Sequence, residues 1–237
     1  MDVLGIIPAR GGSKGIPDKN LRPLAGKPLL AYTVDSAKAS GVIDKLVLST
    51  DSEPIADLGR RLGLEVPFIR PACLATDETP MLAVVLHAVN ELSRNTWAPE
   101  IVVLLQPTSP LRSPEHIRKA VNLLKAGKCD SVVSVVEIPH LFAPQKALFL
   151  HDGYLEFWSK EGSSITRRQQ LETTYARDGT VYVCRKDVLL EKGSLYGNKC
   201  LPLIVSYEEA LNLDTMDDWN RAEEILQKTG RFNNESN

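Results

Sequence analysis

Residues 6–20 read IIPARGGSKGIPDKN. An apolar run stops at Pro8 and opens into a loop with three glycines, a second proline and three basic side chains. Val3 to Ile7 has the apolar content of a buried strand. A strand that breaks into a glycine-rich loop suits the edge of a parallel sheet, where ligands sit beyond the carboxyl ends of the strands.

The pattern outward from this stretch is α/β. Leu24 to Ala39 predicts a helix closed by Gly41, and Lys45 to Ser49 a second strand. Ile55 to Leu62 predicts a helix stopped by Gly63, Val66 to Ile69 a strand, and Met81 to Leu92 a helix. Ile101 to Leu105 (IVVLL) is a continuous apolar strand. Pro114 to Leu124 predicts a helix with Ser113 as its N-cap, and Ser131 to Val136 a β-branched strand. Strands buried on both faces and separated by helices imply a mostly parallel sheet. Residues 138–175 break the rhythm with prolines, aromatics and the polar run SSITRRQQ, and are expected to form a protruding arm or small subdomain. Alternation resumes with strands at Thr180 to Cys184 and Leu201 to Val205, and a helix from Asp217 to Gln227. The final NNESN is expected to fray. The whole chain, 1–237, reads as one domain with an inserted arm.

Composition narrows the function. The net charge is −2 and the sequence pI about 6.1, so no general basic field exists to bind nucleic acid or an anionic membrane. No apolar stretch approaches the roughly 20 residues that span a bilayer, and MDVLGIIPARGG lacks the features of a signal peptide. Cys73, Cys129, Cys184 and Cys200 are far apart with no CxxC pair, and are expected to be free thiols in a reducing cytoplasm. The four histidines show no metal-ligand spacing.

Any anion must therefore be captured locally, and the first loop suits this. Gly11, Gly12 and Gly15 permit close backbone approach, and successive N–H groups form anion-binding nests. Arg10, Lys14 and Lys19 add charge against Asp18. Neither GxxxxGK[ST] nor GxGxxG is present, which argues against a P-loop NTPase and a dinucleotide-binding Rossmann domain. Two readings of the composition stand: a triphosphate cradle, or a flexible turn with solvated charges.

The motif IIPARGGSKGIPDKN resembles the opening of the acylneuraminate cytidylyltransferases, the CMP-sialic acid synthetases. LAGKPLLAYTVDSA (24–37), LSTDSEPIA (48–56), RPACLATDET (70–79), LLQPTSPLR (104–112), RRQQ (167–170), YARDGTVYV (175–183) and LNLDTMDDW (211–219) follow in the same order. The resemblance implies a Rossmann-like nucleotidyltransferase fold with a dimerisation arm. It also implies transfer of CMP from CTP to the anomeric hydroxyl of an acidic nine-carbon α-keto sugar, with Mg²⁺ (or Mn²⁺) as cofactor. A nucleotidyltransferase for another sugar or for GTP, or a non-catalytic nucleotide-binding relative, is the alternative.

Residue roles follow from the resemblance. Ala9, Arg10, Gly11, Gly12, Ser13 and Lys14 would hold the triphosphate, Lys19 would sit near the α-phosphate, and Asn20 would read the base. Arg70 and Thr79 would lie in the nucleotide pocket, with Asp77 bracing their loop; capping of the next helix is the competing reading for Asp77 and Thr79. Gln106, on a turn stiffened by Pro107 and Pro110, would contact the sugar, as would Lys146, Arg168 and Gln169 from the irregular segment. Arg112 reads as structural, paired with a carboxylate under its loop. Thr215 and Asp218 read as a capping box, which leaves Asp214 to hold metal. Many family members have Asp-x-Asp here; this chain has Asn212 and Asp214, and an amide oxygen can still bind a hard cation. Asp178 replaces the usual asparagine before the glycine, and Glu172 stands where the family often has proline.

Overall fold

A computed structural model describes residues 1–94, 97–165 and 167–229, with Arg168 by its backbone alone. The NNESN tail lies outside the described residues. Strand β1 (Val3–Pro8) is buried along its whole length. The glycine loop leads into a ribbon of β2 (Pro23–Leu24) and β3 (Lys27–Pro28), and helix α1 (Leu29–Ser40) begins only after it, not at Leu24. Ala25 and Gly26 have φ of 45° and 85°, the paired left-handed residues that a tight two-residue hairpin requires. Gly41 closes α1 in the left-handed region, its N–H donating to the Lys38 carbonyl.

Strand β4 (Lys45–Ser49) and helix α2 (Glu53–Arg61) fall where expected. Val66 to Ile69 is not a strand; a single bridge joins Val47 to Glu65, and the chain then runs irregularly to Arg70. Helix α3 (Met81–Ser93), strand β5 (Ile101–Leu104), helix α4 (Pro114–Lys125) and strand β6 (Ser131–Glu137) match the sequence pattern. Ser113 caps α4 in a reciprocal arrangement with His116. The irregular segment holds a hairpin, β7 (Leu148–His151) and β8 (Tyr154–Phe157), whose eight residues are all exposed. Strand β9 (Tyr175–Arg185) is longer than expected, and a short helix, α5 (Lys186–Lys192), follows it; seven residues are too few for periodicity to reveal. Strand β10 (Cys200–Ile204) and helix α6 (Met216–Lys228) complete the fold, with the Thr215–Asp218 capping box in place.

Among the described residues the main sheet has the order β10-β6-β9-β5-β1-β4. Its pairs are parallel except those of β9, which is antiparallel to both β5 and β6. The class is α/β with a mostly parallel sheet, as the alternation implies. Val3 and Ile7 of β1 face a cluster with Leu30, Val34, Ile117 and Val121 from α1 and α4, whereas Leu4 and Ile6 face Val85, Ala88 and Val89 of α3. The sheet is thus the middle of three layers. A third cluster joins Ile16 of the first loop to Leu211, Leu213 and Trp219. All four cysteines are free. Among the described residues no helix is long and apolar enough to cross a membrane.

Candidate active site

A cleft of about 350 Å³ opens beyond the carboxyl ends of β1 and β5. Arg10, Ser13, Lys14, Lys19 and Asn20 line it from the first loop. Arg70, Asp77 and Thr79 contribute a second wall, Gln106 comes from the turn after β5, and Asp214 from the stretch before α6. These ten residues, all singled out by sequence, therefore share one cavity.

Apolar anchors explain how distant segments meet. Ile16 and Leu213 are both fully buried in the third cluster, and each such side chain contributes about 1.5–3 kcal/mol. Gly15 lies so close to the Asp214 carbonyl that a Cβ there would collide with it. Lys19 Nζ donates to Leu213 O (2.8 Å) and stands 3.9 Å from Asp214 Oδ1. Asn20 Nδ2 donates to Arg10 O (3.1 Å), stitching the loop to itself.

The loop amides are not equivalent. Ala9 N–H donates to Ser49 O, Gly11 N–H to Asp51 Oδ1 (3.0 Å) and Ser13 N–H to Gly11 O. Among the described residues the amides of Gly12, Lys14 and Gly15 donate to no protein acceptor; Lys14 and Gly15 line the cleft, whereas Gly12 does not. Ala9 and Gly11 act instead by fixing the loop to β4 and Asp51.

Charge is concentrated in the cleft. Arg10 and Lys14 both bond the Asp77 carboxylate. Hydrogen bonds from Lys14 and Arg10 hold that carboxyl below the usual carboxylate range. Burial lowers the Lys19 pKa, and the Asp214 carboxylate opposes that shift. Burial also lowers Arg70, offset by Asp51, whose Oδ1 is 3.6 Å from Arg70 Nη2. Arg70 Nε is buried and has no partner among the described residues. Helix α3 has Pro80 at its N-cap and no side-chain cap bond, so Asp77 and Thr79 do not cap it. The Thr79 hydroxyl instead shares a hydrogen bond with that of Thr76 (2.8 Å).

A second cavity, about 360 Å³, adjoins the first at Gln106 and is walled by Arg177, Asp178, Gly179 and Asn212. A bulge creates it. Val133 pairs with Tyr182 and Val135 with Arg177, so Ser134 alone faces Asp178 to Val181; the extra residues push Gly179 (φ 84°) outward. Ser134 Oγ takes the Val181 N–H that the bulge leaves over. The side-chain oxygens of Gln106, Ser109 and Asn212 surround the space above Gly179, and those of Ser109 and Asn212 are buried without a partner among the described residues. Beneath lies Arg112, fully buried, donating to the carbonyls of Thr180 and Gln106 and to Thr33 Oγ1. Its structural role matches expectation, but its partners are carbonyls and a hydroxyl, not a carboxylate.

Lys146 and Gln169 line neither cavity, and the Arg168 side chain lies outside the described residues. Two residues of the site carried no role in the sequence reading. Asp51 links Gly11 to Arg70, and its position just after a strand was the available signal. Arg177, the cation of the second cavity, stacks on and hydrogen-bonds Tyr196; that pairing is invisible in sequence.

For a divalent metal the fit rests on Asp214 and Asn212. Asn212 Nδ2 donates to Asp214 Oδ2 (2.6 Å), and Asn212 Oδ1 is an orphaned buried acceptor. One carboxylate and one amide oxygen, completed by phosphate and water, suit a hard cation such as Mg²⁺. Among the described residues no cluster of three or more His, Cys, Asp or Glu side chains could hold a metal unaided.

A sequence profile for the family described as Cytidylyltransferase matches residues 4–223. The chain is 35% identical to the CMP-N,N'-diacetyllegionaminic acid synthase of Legionella pneumophila, over 96% of this chain and 97% of that protein. It is 30% identical to the pseudaminic acid cytidylyltransferase of Campylobacter jejuni, over 92% of this chain and 93% of that one. It is also 33% identical to the N-acylneuraminate cytidylyltransferase of Streptococcus agalactiae, of which it spans about half the length (52%). Among solved structures, a CMP:2-keto-3-deoxy-manno-octonic acid synthetase complexed with CTP superposes with a TM-score of 0.73 at 14% identity, covering 97% of this chain and 100% of that one.

Proposed function

The chain belongs to the cytidylyltransferase family, and from that premise we propose that it transfers CMP from CTP to the anomeric hydroxyl of an acidic nine-carbon α-keto sugar, releasing pyrophosphate. The observation that carries this reading is the convergence of Arg10, Lys14, Lys19 and Arg70 with Asp214 on one cleft. The three relatives, a diacetyllegionaminic, an N-acylneuraminic and a pseudaminic acid enzyme, each join CMP to a sugar acid of this type and support the substrate class.

The chemistry is a displacement at phosphorus. The anomeric hydroxyl oxygen bonds to the α-phosphorus as the bond to pyrophosphate breaks, and its proton passes to solvent. Positioning and charge stabilisation supply most of the catalysis in such transfers. Arg10, Lys14 and the free amides of Lys14 and Gly15 would orient the triphosphate. Lys19, fixed by Leu213 O, places a cation beside Asp214, where charge builds on the α-phosphate. Arg70 and Thr79 would bound the base, and Asn20 would present the acceptor left by its bond to Arg10. A divalent cation, held by Asp214 with Asn212, would supply Lewis-acid charge to phosphate oxygens. Gln106 stands between the two cavities, so the second cavity, with Arg177, is the proposed sugar side.

Incubation with CTP and a panel of N-acetylneuraminic, N,N'-diacetyllegionaminic and pseudaminic acids should release pyrophosphate with at least one of them. Release with GTP or ATP instead of CTP would overturn the nucleotide assignment. The β7–β8 hairpin exposes Phe149, Leu150, Leu155 and Phe157, with Trp158 beside them. An apolar surface of this kind marks an interaction site, and we assign it to a homodimer contact. A strictly monomeric species in sedimentation at micromolar concentration would remove that assignment.

A further inference from the structure

Asp77 engages Arg10 and Lys14, two of the three first-loop cations that the proposed reaction reserves for phosphate. Its Oδ1 bonds Arg10 Nη2, and its Oδ2 bonds Lys14 Nζ. Asp77 lies on the segment between the short turn Ala72–Leu74 and α3. The other hydrogen bonds of that segment stay within it or reach its flank: Leu74 N–H to Pro71 O, Ala75 N–H to Ala72 O, Thr79 N–H to Thr76 O, and Thr79 Oγ1 to Cys73 O. Among the described residues, its polar ties to the first loop are therefore those of Asp77.

A carboxylate and a polyphosphate compete for these donors. Both are acceptors only, and the repulsion between their like charges opposes occupation of the same cations together. Lys14, with 82% of its side chain exposed, has the rotamer freedom to change partners.

We propose that Asp77 is a built-in competitor of the polyphosphate: its carboxylate and the incoming phosphates compete for Arg10 and Lys14, so that occupation by one weakens the hold of the other. In one state the carboxylate keeps both cations directed into the cleft and ties the 72–79 segment to the first loop. In the other the phosphates take the cations and that segment is released. Thr79, two residues on, moves with it, so the wall proposed to meet the base responds to occupation of the phosphate side. Asp77 is thus a positioning residue that sets triphosphate affinity. The inference rests on the phosphate reading of the first loop.

Calorimetric titration with inorganic tripolyphosphate tests it on three proteins: the unaltered chain, Asp77→Asn and Lys14→Ala. Asp77→Asn keeps the shape and removes the competing charge, and should bind tripolyphosphate about 3- to 10-fold more tightly, with a matching fall in KM for CTP and no gain in kcat. Lys14→Ala should bind about 10-fold or more weakly. If Lys14→Ala matches the unaltered chain, the phosphate reading fails and the competition with it. If Lys14→Ala is weakened but Asp77→Asn is unchanged or weaker, the cradle stands and the competitor role is overturned in favour of a brace.

Discussion

Asp214→Ala should slow CMP transfer by roughly 10³-fold, about 4 kcal/mol of transition-state stabilisation, while changing stability by no more than about 0.5 kcal/mol. The two effects separate because the side chain and the backbone at this position do different things. The carboxylate is mostly exposed on the cleft wall and meets Lys19 and Asn212. The backbone is held independently: Leu213 N–H donates to Thr108 O (2.8 Å), Asp214 N–H donates to Asp218 Oδ2 (3.1 Å), and Leu213 is sealed in its apolar cluster. Alanine keeps all of these. It removes the carboxylate beside Lys19 at the proposed metal position and leaves Asp77 on Arg10 and Lys14 untouched. Initial rates of pyrophosphate release across a Mg²⁺ titration, with thermal unfolding alongside, measure both quantities. A variant with unaltered rate and Mg²⁺ dependence would place the cation on other residues.

Arg112→Met should destabilise the fold by about 3–5 kcal/mol, read from chemical denaturation. Methionine fills much of the volume but donates nothing, so the buried carbonyls of Thr180 and Gln106 lose the donors that Arg112 now gives them. Burial pulls the guanidinium pKa down to about 9, with Asp178 opposing that shift, so the group remains a cation at neutral pH. Those two carbonyls belong to the strand carrying the bulge and to the turn carrying Gln106. Loss of Arg112 should therefore loosen the second cavity as well, raising KM for the sugar more than for CTP. Stability within 1 kcal/mol of the unaltered protein would show that the carbonyls find other donors.

Most of the parallel framework was legible because its strands are apolar runs between glycine and proline stops. Ile101 to Leu105 and Ser131 to Val136 needed no more than β-branched content, and Ser113 and Thr215 announced their helices as caps. What escaped depends on contacts far apart in sequence. Val66 to Ile69 has strand-like composition but pairs through Glu65 alone. The start of α1 was misplaced because Ala25, an ordinary helix former, adopts a left-handed turn conformation beside Gly26. In the site, the first-loop cations were legible by type and spacing, whereas the roles of Arg70 and Asp214 came with the family resemblance. The partition of the loop amides was not, since Ser49 and Asp51, which occupy two of them, lie about one strand and one helix away. Asp77 shows the same limit: its position before Pro80 suits a helix cap, yet its partners are Arg10 and Lys14.

The antiparallel strand at the centre of the sheet bears on how the chain matures. β5 and β6 precede β9 in the order of synthesis, and β9 lies between them. Until residues 175–185 leave the ribosome, both earlier strands carry inner edges whose N–H and C=O groups have no ladder to join, and bare edges of this kind invite pairing between chains. The same wait applies to catalysis, because Lys19 is fixed by a carbonyl 194 residues downstream. A nascent polypeptide of this family member acquires its working centre only after residues 213 and 214 have been made, so a product cut short before them carries the loop but not the completed cleft.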